Sequence, residues 1–271
     1  MPDARVSIID GADDPRVAEY RDIGDHDRLV AQGLFVAEGR LVVERLIEDR
    51  FVIRSLLLNR AAFTALEPRL KDLPRETTTF ICATEDFEAL TGHALHRGCL
   101  ALAERPAPRL LDHLLMRARS LVLLEGVGNA DNVGGIFRNA AAFGAGAVVL
   151  SHGCADPLYR KAIRTSMAAT LRVPFSVVPF ADLWTAALTR VRAAGFQLVA
   201  LTPRPDAVDL ETWATGRRGE RVALLLGTEG EGLSAESEAL ADVCVKIPIR
   251  PDVDSLNVSV AAGIALYRLL R

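Results

Sequence analysis

The chain has 271 residues, of which 50% are hydrophobic and 25% are charged, and this apolar content suffices for one large domain or two smaller ones. The formal net charge is −3 at pH 7, so contacts with a polyanion would have to come from a local basic patch. No uninterrupted apolar run approaches the roughly 18 residues that a membrane span needs, and the first residues contain no apolar signal core. We therefore expect a cytoplasmic protein without a membrane partner.

The cysteine and histidine pattern predicts no metal site. His93 and His96 have the spacing of a possible metal pair, but no second histidine pair accompanies them. The four cysteines are too far apart for a zinc-binding CxxC motif, and we expect free thiols in a reducing compartment: Cys82, Cys99, Cys154 and Cys244.

Residues 1–104 are predicted to form a small mixed α/β domain. The start is acidic and turn-rich, and the later segment LFVAEG has the composition of a strand. Helical spacing of apolar residues predicts helices at Leu41–Ile47 and Ala61–Leu70. Residues 105–119 are predicted as a linker that begins with the Pro-rich run RPAPR. Short apolar runs predict strands at Val52–Leu58, Phe80–Ala83 and Gly98–Leu102.

Residues 120–271 alternate between strands and helices, which predicts a mostly parallel sheet with helices on both faces. Apolar runs predict strands at Leu121–Leu124, Ala147–Leu150, Phe175–Val178, Gln197–Leu201, Val222–Leu226 and Val243–Ile247. Helices are predicted near Val133–Phe143, from an Asp156–Pro157 cap to about Leu171, at Ala181–Ala194 and at Val258–Leu270.

The first polar cluster, Gly126–Asn139, follows a strand and opens a helix. Its glycines allow close approach of a ligand, and a helix start offers unpaired N–H groups. Asp131 argues against a dinucleotide fingerprint, because it stands where that motif needs Gly or Ala. A plain strand–helix turn would explain the asparagines, but it does not explain Arg138 in an otherwise apolar helix.

Two further polar clusters also follow strands. Gly227–Ser234, with the sequence GTEGEGLS, is a compact glycine-rich loop without the lysine and spacing of a phosphate-binding Walker loop. Ile247–Val260 leads from a strand into the last helix, where Ser255 or Asn257 is a possible N-cap. Ligands bind at the carboxyl ends of strands in open α/β sheets, so the convergence of all three clusters there predicts a binding site.

In this order, the three clusters resemble the motifs of the SpoU (TrmH-like) family of the SPOUT methyltransferase superfamily. Asn132, Gly134 and Arg138 match the first motif, LLLGTEGEGLS matches the second, and IPIRPDVDSLNVSVAAGIALY matches the third. The resemblance covers about Leu121 to Leu270. FVAEGRLVVERL and HRGCLALAE carry a weaker similarity to the accessory, L30e-like substrate-binding domain of the family.

The resemblance implies an RNA ribose 2′-O-methyltransferase that uses S-adenosylmethionine as its cofactor. It also implies a C-terminal trefoil knot, a preceding L30e-like domain, and a homodimer with its sites near the subunit interface. The cofactor would be held by backbone groups near four residues: Thr202, Gly227, Ile247 and Leu256.

The resemblance places Arg138 at the ribose 2′-hydroxyl. Because an arginine side chain stays protonated, we interpret Arg138 as a binder of the target phosphate and a stabiliser of oxyanion character. Asn132 and Asn257 would orient Arg138 and the ribose. Ser255 would hydrogen-bond within the same group, and Glu229 would hold Arg138 or the cofactor.

The candidate RNA contacts are Arg160, Lys161, Arg164 and Arg172. Arg160 and Arg164 are one helical turn apart and share a face, which is equally typical of a solvated surface. Ribosomal RNA is the expected substrate because the accessory domain precedes the knot, and tRNA is the alternative. A non-catalytic RNA-binding protein and a nicotinamide-dependent oxidoreductase are further alternatives.

Overall fold

The computed structural model describes residues 6–21, 23–91, 98–180, 182–216 and 219–270, so His93 and His96 lie outside the described residues. The chain forms two compact units. The first comprises Met1–Ala107 with Leu158–Ala168, and the second comprises Pro108–Pro157 with Ala169–Arg271.

The first unit is built on a five-stranded mixed sheet with the order β1-β4-β3-β5-β2. β1, β4 and β3 are parallel, whereas β5 runs antiparallel to both β3 and β2. The predicted strands and helices of this unit are present, with ends shifted by a few residues. Its elements are β1 (Val6–Ile8), a 3-10 helix (Pro15–Tyr20), α1 (His26–Ala31), β2 (Leu34–Glu38), α2 (Arg40–Glu48), β3 (Ile53–Leu58), α3 (Arg60–Leu70), β4 (Thr78–Ile81), α4 (Thr84–Thr91) and β5 (Cys99–Glu104).

The rest of the chain contains a seven-stranded sheet in which every pair of neighbouring strands is parallel, with the order β10-β12-β9-β11-β6-β7-β8. The second unit contains α5 (Leu111–Arg117), β6 (Ser120–Leu124), α6 (Ala130–Phe143), β7 (Ala147–Leu150), α8 (Ala169–Arg172), β8 (Phe175–Val177), α9 (Trp184–Ala193), β9 (Gln197–Leu201), β10 (Val208–Asp209), α10 (Leu210–Ala214), β11 (Val222–Leu226), α11 (Ala235–Leu240), β12 (Val243–Lys246) and α12 (Val258–Leu269). Between β7 and α8 the chain forms α7 (Arg160–Thr165), which is part of the first unit.

Both faces of the seven-stranded sheet are covered by helices, as predicted. In β6, Val122 and Leu124 pack in the apolar cluster that contains buried residues of α6, α10 and α12. Leu121 and Leu123 pack on the opposite face with α5 and α9. Strands that are buried on both faces carry continuous apolar runs, which explains why these strands could be predicted from the sequence.

Three predicted features of the connecting segments differ from the structure. The helix expected from Asp156–Pro157 to Leu171 instead begins at Arg160 and is interrupted after Thr165. Met167 and Ala168 have φ values of 52° and 69°, a left-handed conformation that a right-handed helix cannot include. The helix expected from residue 181 begins at Trp184. The segment predicted as a linker contains α5, whose leucines are buried in the second unit.

α7 belongs to the first unit and packs against β2. No helix in the described part of the chain is long and apolar enough to cross a lipid bilayer.

Candidate active site

The predicted site residues follow four neighbouring strands of the parallel sheet. β12, β9, β11 and β6 are adjacent in this order, so their carboxyl ends meet along one edge. The loops after these strands carry the three polar clusters and Thr202. Parallel strands therefore bring segments more than 100 residues apart in sequence to a single place, as the sequence predicted.

A pocket of about 510 Å³ lies at this edge, within the range of about 300–1,000 Å³ typical of small-molecule sites. Its walls contain all four residues predicted to bind the cofactor: Thr202, Gly227, Ile247 and Leu256. Three of the five predicted catalytic residues also line it: Glu229, Ser255 and Asn257.

The loop after β11 is folded back on itself by its glycines. Thr228 N donates to Gly232 O and Gly232 N donates to Thr228 O, both at 3.1 Å. A Cβ on Gly227 would lie 2.2 Å from the carbonyl carbon of Gly232, so no side chain fits there. Gly230 and Gly232 have φ values of +117° and +76°, which favour glycine. The result is a backbone-lined wall that a ligand can approach closely.

The loop after β6 is braced against its neighbours at both ends. Gly126 has a φ of +68°, and its N–H donates to Ser151 Oγ at 2.9 Å. Asn129 caps α6, because its Oδ1 accepts from Asp131 N at 2.8 Å. This cap accounts for one of the two asparagines of the loop by a purely structural role.

Asn132, the other asparagine, joins α6 to the start of α12. It is buried, and its Oδ1 accepts a hydrogen bond of 2.8 Å from Asn257 Nδ2. Asn257 is the N-cap of α12, and its Oδ1 accepts from Ser259 N at 2.9 Å and from Val260 N at 3.3 Å. The first and third motifs are therefore connected by one amide–amide hydrogen bond.

Close helix packing supports this hydrogen bond. Asn139 Nδ2 donates to Ser259 O at 2.6 Å, and a Cβ on Gly135 would lie 2.8 Å from Ser259 Cβ. The small residue at 135 lets α6 and α12 approach each other, so that the two amides come within hydrogen-bonding distance. Asn139 was not among the predicted site residues, because an asparagine in a helix gives no signal about a partner 120 residues away.

The Arg138 side chain is exposed and makes no hydrogen bond or ion pair with any residue that the structure describes. Glu229 is also exposed, and no ion pair joins it to Arg138 among the described residues. Ser255 is exposed on the pocket wall. The structure thus brings Asn132 and Asn257 together, and leaves the Arg138 guanidinium available to an anionic ligand.

The predicted RNA contacts on α7 already have a protein partner. Glu38 at the end of β2 lies 3.6 Å from Arg160 and 3.6 Å from Arg164. The Arg160 side chain is 14% exposed and that of Arg164 is 55% exposed. Lys161 is half-buried on the same helix, and Arg172 is exposed at the end of α8 in the other unit.

A larger cavity, of about 780 Å³, lies at the opposite edge of the sheet, before β6, β9 and β11. Arg221 in this cavity donates to the carbonyl oxygens of Leu115, Ala118 and Ala194. These are carbonyls at the ends of α5 and α9, where a cation is stabilising. Arg221 therefore has a structural role, and this cavity holds none of the predicted site residues.

Two of the four cysteines, Cys82 and Cys99, are buried, whereas Cys154 and Cys244 are half-buried. Burial raises the pKa of Cys82 and of Cys99 to about 12, and it raises the pKa of Cys154 and of Cys244 as well. The structure contains no disulfide between them, since all four are free. Among the described residues, no group of three or more His, Cys, Asp or Glu side chains is arranged to hold a metal ion.

The fold and the pocket together are those of an α/β protein with a small-molecule site at the carboxyl edge of a parallel sheet. The model of the SpoU rRNA methylase family matches residues 119–267. The chain belongs to this family, and it is an RNA methyltransferase that uses S-adenosylmethionine.

Two relatives and a solved structure are similar to this chain over nearly its whole length. A tRNA/rRNA methyltransferase of Mycobacterium tuberculosis is 39% identical over 264 residues, which are 96% of this chain and 90% of the relative. The 23S rRNA (guanosine(2553)-2′-O)-methyltransferase of Bacillus subtilis is 24% identical over 96% of this chain and 98% of the relative. The crystal structure of an AdoMet-bound rRNA methyltransferase from Sinorhizobium meliloti aligns with a TM-score of 0.82 and 25% identity, covering 98% of this chain and 97% of that chain.

Proposed function

We propose that this enzyme transfers the methyl group of S-adenosylmethionine to a ribose 2′-hydroxyl of ribosomal RNA. The observation that carries the proposal is the meeting of the three motifs at one sheet edge, where the pocket wall includes Asn257 of the Asn132–Asn257 pair. Arg138 lies on the same helix as Asn132, and its side chain pairs with no residue of the described chain. The B. subtilis relative methylates a 2′-oxygen of 23S rRNA, which supports both the reaction and the substrate class.

The residues of the 510 Å³ pocket fit S-adenosylmethionine. Leu201, Ile247 and Leu256 offer apolar surface for an adenine ring, and the glycine loop offers backbone groups for polar atoms of the cofactor. The absence of space for a Cβ at Gly227 indicates that the wall is shaped by backbone. When bound, S-adenosylmethionine supplies an electrophilic methyl group on a sulfonium. We assign the attraction of that cationic centre to Glu229, since its carboxylate is exposed on the pocket wall.

Arg138 binds the phosphate of the target nucleotide and stabilises negative charge that develops on the 2′-oxygen. A guanidinium stays protonated, so it donates hydrogen bonds and does not remove the hydroxyl proton. Its lack of an ion pair with the described residues leaves its donors available for a phosphate, which it can grip in bidentate fashion. The proton leaves to water or to a phosphate oxygen.

Asn132 and Asn257 position the ribose and Arg138. Their mutual hydrogen bond fixes the start of α12 against α6, the helix that also carries Arg138, and it lies beside Ser255 in the pocket wall. Methyl transfer needs an in-line approach of the oxygen to the methyl group, so accurate positioning carries much of the catalysis.

Replacing Arg138 tests the assignment. Arg138→Ala is expected to lower the rate of methyl transfer into ribosomal RNA by about 100-fold or more, as removal of one oxyanion-stabilising donor does. The RNA is purified from a strain that lacks the gene, and transfer is measured with methyl-labelled S-adenosylmethionine. Cofactor affinity, measured by calorimetry, is expected to stay within about twofold of wild type, because Arg138 does not line the pocket.

A matched control is Arg190→Ala, which removes an exposed arginine at the opposite edge of the sheet. This variant is expected to retain full turnover. Wild-type turnover in Arg138→Ala would disprove the assigned role.

The substrate alternative is tRNA, which the name of the M. tuberculosis relative also includes. Mapping 2′-O-methyl sites in total RNA with and without the gene separates the possibilities. Loss of a ribosomal site supports the proposal, loss of a tRNA site supports the alternative, and no loss in either RNA supports a non-catalytic RNA-binding protein.

We further propose the finer architecture that the resemblance implies. The C-terminal part of the catalytic domain, residues 120–271, would be a trefoil knot, and residues 1–104 would be an L30e-like RNA-binding domain. The packing of α12 on both α6 and α10 and the five-stranded mixed sheet of the first unit support these assignments. A homodimer and a cytoplasmic location, where ribosomal RNA is found, complete the proposal.

A further inference from the structure

An exposed pair of aromatic rings lies beside the proposed site and has no role in the proposed reaction. Phe180, just after β8, has 82% of its surface exposed, the largest fraction among the exposed large hydrophobic residues of the described chain. His152, just after β7, is also exposed, and the two ring centroids are 4.7 Å apart with an interplanar angle of 57°. We name this pair the ring platform.

The ring platform is at the same sheet edge as the pocket. β7 and β8 continue the order β12-β9-β11-β6 on the far side of β6. Adjacent strands are about 4.8 Å apart, so the loops after β7 and β8 begin about 5 and 10 Å from the loop after β6. The loop that leads to Asn132 and Arg138 therefore lies between the cofactor pocket and the ring platform.

Direct contacts fix the loop of His152 against the loop after β6. Ser151 Oγ accepts a hydrogen bond of 2.9 Å from Gly126 N. A Cβ on Gly153 would lie 3.5 Å from Gly126 Cα, which is ordinary van der Waals contact between the two backbones. His152 is flanked by both of these contacts, so its position follows that of the loop that carries the target-binding residues.

We propose that His152 and Phe180 form a stacking surface for an unpaired nucleobase of the RNA substrate, next to the nucleotide that is methylated. This inference rests on the proposed function. Unpaired RNA bases are commonly recognised by stacking on exposed Phe and His rings. Among the described residues, His152 is the one aromatic ring that contacts Phe180, whose side chain is 82% exposed. Stacking tolerates any base, so the surface orients the RNA strand without reading its sequence.

The position explains what such a surface would add to the reaction. The pocket holds the methyl donor on one side of the loop after β6, and the ring platform holds the neighbouring base on the other side. A ribose held between these two points, with Arg138 on its phosphate, has little freedom to rotate away from the donor.

The test compares three substitutions at Phe180. Phe180→Ala is expected to raise the KM for ribosomal RNA from a strain lacking the gene by about 5- to 150-fold, the range that base–aromatic stacking spans. Phe180→Trp retains a stacking ring and is expected to keep a KM near wild type. Phe180→Leu retains apolar surface without an aromatic face, and its KM is expected to resemble that of Phe180→Ala.

Two further measurements distinguish stacking on RNA from an altered cofactor pocket and from altered assembly. The affinity for S-adenosylmethionine, by calorimetry, and the molar mass in solution, by light scattering, are expected to be unchanged in all three variants. A KM for Phe180→Ala equal to that of wild type overturns the proposal. A KM for Phe180→Leu equal to that of wild type also overturns it, since an apolar contact would then suffice.

A change in molar mass would overturn the proposal in favour of contact between two copies of the chain. If the proposed function is wrong, the wild-type enzyme transfers no methyl group to ribosomal RNA. This result distinguishes failure of the proposed function from failure of the stacking proposal. In that case the dissociation constants of the same variants for that RNA, measured by filter binding, give the same comparison without turnover.

Discussion

Asn257 carries out two tasks with the two ends of one amide. Its Oδ1 accepts from the backbone of Ser259 and Val260 and so caps α12, while its Nδ2 donates to Asn132 on α6. The first task stabilises a helix, and the second positions a motif residue in the proposed site. Because the two tasks use different atoms, substitution can separate them.

Asn257→Ala removes both tasks and is expected to lower the free energy of unfolding by about 1 kcal/mol, the usual cost of losing an N-cap, together with a fall in turnover. Asn257→Asp keeps an oxygen that caps the helix but cannot donate to Asn132. It is therefore expected to retain most of the stability in urea unfolding while turnover remains low. Full turnover in Asn257→Asp would show that the hydrogen bond to Asn132 is dispensable.

At the residue scale, local roles were predictable and distant partners were not. A cap at Ser255 or Asn257 follows from a polar residue before an apolar helix, and the structure assigns it to Asn257. The bond from Asn257 to Asn132 spans 125 residues and depends on the close approach of two helices, which a single sequence does not encode visibly. The same holds for Glu38, whose ion pairs with Arg160 and Arg164 arise from packing of α7 on β2.

At the scale of elements, the strands of the parallel sheet were predicted well because burial on both faces demands continuous apolar runs. Short elements were missed. α5, α10 and α11 have only 7, 5 and 6 residues, too few for a helical period to stand out from its surroundings. The Asp156–Pro157 pair has the composition of a helix start, but the chain reaches α7 only at Arg160, so the tertiary contacts of that segment overrode the local signal.

α7 presents two arginines that the structure treats differently. Arg160 is largely buried against Glu38, whereas Arg164 reaches the same carboxylate from a mostly exposed position. Arg160→Gln is expected to lower the stability of the protein by about 1–2 kcal/mol, because buried charged atoms lose their partner. Arg164→Gln is expected to change stability by less than about 0.5 kcal/mol, since exposed ion pairs contribute little.

In binding to ribosomal RNA the two variants are expected to rank in the opposite order, with the larger effect for Arg164→Gln. Arg164→Gln is expected to weaken binding and to reduce the slope of log K against log salt by about 1, as loss of one phosphate contact does. Filter binding between about 50 and 200 mM salt measures the slope. An unchanged slope would remove Arg164 from the RNA surface, and urea unfolding of the same samples verifies the stability order.

At the scale of the whole molecule, α12 exposes an apolar stripe on the side turned away from the core. Val260, Ile264 and Tyr267 are 51%, 41% and 53% exposed and are spaced four and three residues apart, so they share one helix face. The opposite face of the same helix packs on α6, and residues at the start of the helix line the pocket. A contiguous exposed apolar face marks an interaction surface, and most soluble oligomers are symmetric assemblies of one chain.

The homodimer that we propose should therefore depend on this stripe. The wild-type chain is expected to have twice its single-chain mass of 29.3 kDa in light scattering, and Ile264→Glu is expected to shift it toward the single-chain mass because a charge would be buried without a partner. Val52→Glu, at an apolar position of the first unit that is 59% exposed, is the matched control and should leave the dimer intact. If dimers form across α12, Ile264→Glu should also lose methyl transfer, since the site adjoins the interface. A dimer that survives Ile264→Glu would move the interface to another surface.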